Sequence, residues 1–162
     1  MELARDKHVL YWLTSLVVLV LIMIIVGGLT RLTESGLSMV NWDPLMGIIP
    51  PMSKLAWIDL FNEYKLYPEF IIKNSSMTLS EFKYIFWWEY GHRVLGRVIG
   101  IAFILPLIYF GFKKYFNKKE FLIYGFLLLL GLIQGLIGWW MVKSGLVDNP
   151  YVDHIRLATH LF

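Results

Sequence analysis

Residues 87–100 read WWEYGHRVLGRVIG and residues 101–112 continue as IAFILPLIYFGF. A polar head carrying Glu89, His92, Arg93 and Arg97 thus opens directly onto an apolar run, roughly Val94 to Phe112, long enough to cross a bilayer. On a helix Glu89 and His92, three apart, share one face, with Gly96 a turn below His92. Arg93 and Arg97, four apart, form a second stripe beside it. The helix end therefore offers an imidazole, an acid and two cations within about two turns. Ionisable groups at the edge of a membrane span carry a functional presumption, because they are costly in lipid when unpaired. A plainer reading also fits: Arg and Glu near a helix end snorkel to the headgroups, and a single histidine there serves as a hydrogen-bonded interface residue.

Composition extends the membrane reading to the whole chain. The 162 residues are 57% hydrophobic, 17% aromatic and 17% charged, with a mean hydropathy of +0.60, too apolar for an ordinary soluble domain. The net charge of +3 is small and its basic residues form no nucleic-acid face, so no DNA or RNA partner is expected. There is no cysteine, which excludes disulfides and thiolate metal sites and leaves histidine as the strongest metal ligand.

A first apolar run spans about Val9 to Leu29 and ends in GGLTRL rather than a small-residue cleavage site, so it reads as a permanent helix. Arg5 and Lys7 precede it, and Lys113, Lys114, Lys118 and Lys119 crowd the connection between the second and third runs. The positive-inside rule puts both basic stretches, and the N-terminus, in the cytoplasm. The third run, about Phe121 to Val142, holds Gly131, Gly135, Gly138 and one polar residue, Gln134, which reads as an interhelical hydrogen bond; Trp139 and Trp140 stand at its outer end as interfacial anchors. After a short outer loop a fourth helix begins near Asp153. The expected fold is an all-α integral membrane helical bundle: three full transmembrane helices, the start of a fourth, and a long outer loop carrying short helices.

That loop, about 30–88, is too long for a tight connection. Gly36, Pro44, Gly47 and Pro50-Pro51 punctuate its first part. Ser53 is placed to cap a helix over LAWIDLFNEYKLY, with Leu55, Ile58, Phe61 and Tyr64 or Lys65 on one apolar face and Pro68 closing it. Thr78-Leu-Ser-Glu81 is a capping box, from which a helix runs through Glu89 and His92 into the bilayer. Pro106 is expected to kink that helix. Gly96 and Gly100 form a small-xxx-small pair that suits helix packing, the commoner use, or close approach of a flat ligand.

Alternating spans put His92 at the outer end of helix two and His160 near the outer end of helix four. Two neutral imidazoles at one depth on different helices are what axial ligation of a haem iron requires. His8 lies off this plane, and His154, six residues from His160, is off its face.

The stretches GGLTRLTESGLSMVNWDPLMGIIPPM, FWWEYGHRVLGRVIG, GLIQGLIGWWMVKSGL and RLATHL together resemble the N-terminal half of the haem A synthase family. The resemblance covers nearly the whole chain. It implies one half of two fused four-helix bundles that oxidise a methyl group of haem O to the formyl group of haem A for cytochrome oxidase, in the bacterial inner membrane. By motif, Glu89 is similar to the family's catalytic carboxylate, and His92 and His160 to the histidines of its substrate-haem site. Arg93 and Arg97 are then candidates for the haem propionates. The family's second bundle, with its b-type haem cofactor, has no counterpart in these residues, and helix four ends near its first turn. Either a truncated or split product, or a remaining half supplied by another chain, is the corresponding expectation; besides haem O and membrane lipid, a second chain or haem O synthase is a candidate partner. A haem-binding module without turnover is the competing class. A carboxylate di-metal site would need a second E-x-x-H and further inward glutamates, which are not found. A purely structural subunit would explain the glycines and tryptophans but not the matched depth of Glu89, His92 and His160.

Overall fold

The computed structural model describes residues 2–40, 46–147 and 150–161; Pro44, in the punctuated loop, lies outside them. Five α-helices follow one another: α1 (Glu2–Leu32), α2 (Lys54–Tyr64), α3 (Leu79–Phe112), α4 (Lys118–Ser144) and α5 (His154–Leu161). A 3-10 turn at Met46–Ile48 and a π-helical turn at Glu69–Lys73 punctuate the long loop, and there is no strand among the described residues. Three of the helices, over Lys7–Leu32, Leu79–Phe112 and Lys118–Ser144, are long and apolar enough to cross a membrane.

The length of α3 places the chemistry. Its 34 residues rise about 50 Å, against a hydrocarbon core of about 30 Å. Counting about 20 residues back from Phe112 reaches the neighbourhood of His92, so the first turns of α3 stand clear of the bilayer. They start on the expected capping box, the Thr78 side chain accepting from Glu81 N–H while the Glu81 carboxylate accepts from Thr78 N–H. Those turns are buried not in lipid but in a cap, where Phe82, Ile85 and Phe86 pack with Met39, Val40, Trp57, Phe61 and Tyr64.

Ser53 caps α2 as its sequence implies, accepting from Ala56 N–H at 3.1 Å. The helix closes at Tyr64, with Lys65 as its C-cap, four residues before Pro68; Pro68 instead opens the π-helical turn. Its buried face is also rotated from the expected one. Trp57, Phe61 and Tyr64 point inward, whereas Leu55 is 72% exposed. Trp57 meets Phe86 edge-on and Phe61 stacks on Phe82, so the ring wall of α3 selects the aromatic stripe.

At the opposite end a second cluster joins Trp12 and Leu16 of α1 to Leu107 and Phe110 of α3. Here α3 continues through Pro106, which has no N–H to give the Ala102 carbonyl four residues earlier. The Trp12 indole N–H donates to that carbonyl at 2.8 Å. A ring on a neighbouring helix thus supplies the hydrogen bond that proline withholds, as lipid demands. Between the two clusters the helices present apolar side chains outward, and α4 buries none.

Both α1 and α3 end in the same way. Ser35 N–H bonds the Thr30 carbonyl and Glu34 N–H that of Arg31; Tyr115 N–H bonds Phe110 and Lys114 N–H bonds Gly111. These are Schellman ends whose left-handed position holds Glu34 (φ 50°) and Lys114 (φ 55°) instead of glycine.

Candidate functional site

The Schellman end of α1 throws residues 35–40 back across α3, and this return builds the site. Ser38 Oγ donates to Glu89 Oε2 at 2.8 Å, and Met39 N–H donates to the same oxygen at 2.7 Å. Arg93, one turn along α3, donates to Glu89 Oε1 at 2.5 Å and to the Met39 carbonyl at 3.1 Å. Glu89 is 3% exposed, so both its oxygens meet donors in a site from which water is excluded. A buried carboxylate needs such partners, and three donors with one cation meet that need. Arg93 thus turns inward to the ion pair, not outward to headgroups.

His92 is half-buried and lies against α1. A Cβ placed on Gly27 would stand 3.2 Å from His92 Nε2, so the missing side chain is what seats the ring. His160 of α5 uses α4 in the same manner: a Cβ on Gly138 would stand 2.9 Å from its Cε1. Gly27 precedes the end of α1 by five residues (27 to 32) and Gly138 that of α4 by six (138 to 144), or about 8–9 Å of rise in each case. Each imidazole thus sits on a glycine near the end of a long helix, and His92 lies within electrostatic reach of His160.

α5 is tied to α4 by three contacts. Gln134 Nε2 donates to the His160 carbonyl at 2.5 Å, the interhelical bond its sequence suggests. Arg156 donates to the Trp140 carbonyl at 3.0 Å and lies 4.5 Å from the centroid of that indole. His160 Nδ1 is buried and has no hydrogen-bond partner among the described residues.

Arg97 is the other such group: its Nη1 is buried without a partner, while Nη2 would stand 3.5 Å from a Cβ on Gly47. Tyr90 helps hold that cover down, donating to the Ile48 carbonyl at 2.5 Å. Of the small-xxx-small pair, Gly96 meets the Met23 side chain of α1, whereas Gly100 faces open space. Glu89 and Arg93 are thus paired, His92 and His160 stand on different helices within electrostatic reach, and Arg97 keeps one nitrogen without a hydrogen-bond partner among the described residues. No three His, Asp or Glu side chains gather as a metal-holding group among the described residues.

The sequence reasoning did not single out a second buried acid. Glu69, 3% exposed, accepts from Tyr64 Oη at 2.9 Å, and Asn74 donates to that oxygen at 2.8 Å. Burial is the main cause that pushes the Glu69 carboxyl up to about 7, and it raises the Tyr64 phenol as well. The Ser38 and Met39 donors were also missed; only the SGLSM stretch hinted at them.

A family model described as cytochrome oxidase assembly protein matches residues 10–162. Among curated proteins, "Heme A synthase" of Nitrosospira multiformis is 51% identical over 160 residues, covering 99% of this chain and 45% of that protein. "Heme A synthase" of Rickettsia bellii is 52% identical over 156 residues, with 96% and 46% covered, and that of Flavobacterium psychrophilum 47% identical over 159, with 97% and 47% covered. The chain spans about half the length of the curated relatives it matches. No solved structure matches. On the family match and these identities, the chain belongs to the COX15-CtaA family of cytochrome oxidase assembly proteins.

Proposed function

We propose that this chain forms the substrate-haem half of an enzyme that oxidises a methyl group of haem O to the formyl group of haem A. The observation that carries the reading is Glu89, a buried carboxylate with both oxygens hydrogen-bonded, one turn from a histidine within electrostatic reach of a second on another helix. The family membership and the names of the relatives agree with it.

The residues fit a haem. His92 and His160 offer imidazole nitrogens from separate helices, and His160 Nδ1 has no hydrogen-bond partner among the described residues, which supports a role as ligand. Iron held in a porphyrin needs only such axial ligands. Arg97, with one nitrogen unpartnered among the described residues, is the cation for a propionate, while Arg93 is committed to Glu89. Glu89 stands as a fixed negative end in a water-poor site, so its role is to stabilise positive charge at the carbon being oxidised. The chain sits in the bacterial inner membrane with its N-terminus cytoplasmic and the site on the outer side. The other half found in the longer relatives completes the enzyme, and haem O synthase delivers the substrate.

The test is to purify the chain from membranes of cells that make haem O and identify the extracted porphyrin by chromatography and mass. Haem A or its hydroxylated precursor is expected with the completing half present. Glu89→Gln is expected to retain bound haem and lose the oxidised product, and His92→Ala to lose the low-spin haem spectrum. Haem O that is bound but never oxidised, even with the second half supplied, would favour a binding module without turnover. Absence of any porphyrin would overturn the reading.

A further inference from the structure

The end of the bundle opposite Glu89 carries Lys113, Lys114, Lys118 and Lys119, all exposed, the first pair in the turn after α3 and the second in the first turn of α4. The turn is fixed: Lys114 occupies the left-handed position of the α3 end, and Asn117 caps α4 by accepting from Glu120 N–H at 2.9 Å. The one acid there, Glu120, is turned back on its own helix, its carboxylate accepting from Asn117 N–H at 2.8 Å. Among the described residues, no acidic side chain pairs with these four cations.

Directly beside them the two helices leave a groove of about 490 Å³. Ile108, Gly111 and Phe112 form one wall and Phe116 and Phe121 the other, with Asn117 and Lys118 at the mouth. Gly111 sets its shape, since a Cβ there would come 3.2 Å from the Phe121 ring. The groove opens sideways into the bilayer region, for Ile108 and Phe121 are each 48% exposed and Phe112 is 84% exposed. An apolar slot with cations at its mouth, at the end of two membrane-spanning helices, matches a ligand with a hydrocarbon tail and an anionic head.

We propose that this groove is a seat for one anionic phospholipid, with an acyl chain between Ile108 and Phe121 and its phosphate against the lysines. Lysines that only set topology would attract anionic lipid diffusely and would need no groove. A seat requires both parts, and each part can be removed separately.

The full chain is equilibrated in micelles containing equal phosphatidylglycerol and phosphatidylcholine, and the lipid it retains is counted by native mass spectrometry. Wild type is expected to keep one phosphatidylglycerol in preference to phosphatidylcholine. Replacing all four lysines by Gln is expected to cut that preference at least about fivefold, the effect of roughly one lysine at a charged membrane surface. Ile108→Trp fills the groove at a lipid-facing position and is expected to abolish retention although the lysines remain, which keeps the test decisive should the quadruple variant not fold. Equal retention of the two lipids by wild type, or undiminished phosphatidylglycerol on Ile108→Trp, overturns the proposal.

Discussion

Trp12 and Pro106 should be energetically coupled although neither replaces the other in packing. Proline leaves the Ala102 carbonyl without its helical donor, and the Trp12 indole N–H answers it at 2.8 Å across the α1–α3 interface. Trp12→Phe removes the donor and shrinks a ring in edge-to-face contact with Phe103, Phe110 and Tyr124. The lost packing and the orphaned carbonyl together should cost about 2–3 kcal/mol, of which about 1 kcal/mol is the hydrogen bond, given what such bonds contribute between membrane helices. Pro106→Ala restores an N–H at the right place, so that α3 can satisfy Ala102 internally. Trp12→Phe should then cost about 1 kcal/mol less in the Pro106→Ala background than in wild type. The packing loss is common to both backgrounds and cancels in the cycle. Reversible unfolding in mixed micelles, followed by far-UV circular dichroism, measures the four stabilities. An identical cost of Trp12→Phe in both backgrounds would show that the indole bond contributes nothing, and the account of how α3 tolerates its proline would fail.

The glycine seats predict a rank order: Gly138→Ala, whose Cβ meets His160 at 2.9 Å, should disturb a low-spin haem spectrum more than Gly27→Ala, whose Cβ meets His92 at 3.2 Å, and equal spectra would remove the seats from the site. Gly145→Ala would bring a methyl within 2.8 Å of buried Leu37, next to the Ser38 that donates to Glu89, so it should cost about 1–3 kcal/mol in a thermal melt; an unchanged midpoint would refute the contact. Because burial lifts Glu69 to about 7 from 4.5, the folded cap keeps a proton that the unfolded chain releases, and its contribution is full below about pH 4.5 and lost by about 3 kcal/mol as pH rises through 7. Hydrogen exchange of residues 54–73, corrected for intrinsic rates, should report opening at pH 8 that is absent at pH 5, and Glu69→Gln should flatten the profile.

What the sequence disclosed was governed by distance along the chain. The Thr78 and Ser53 caps and the unbroken course of α3 depend on residues within one turn of each other, and each was readable. The face of α2 was not, because both candidate stripes contain Phe61 and Tyr64; whether Leu55 or Trp57 joins them is decided by Phe86, some thirty residues on. The same rule divides the site. Glu89, His92 and Arg93 announce themselves as charges on one helix end, yet the helix alone allows Glu89 to meet either His92 or Arg93. The choice is made by the Met39 peptide, whose N–H takes one Glu89 oxygen and whose carbonyl takes Arg93, locking the ion pair and leaving His92 free to turn toward Gly27. A loop fifty residues upstream thereby frees the histidine. Its own placement rests on a left-handed Glu34, a conformation that no residue preference in TRLTES would have suggested.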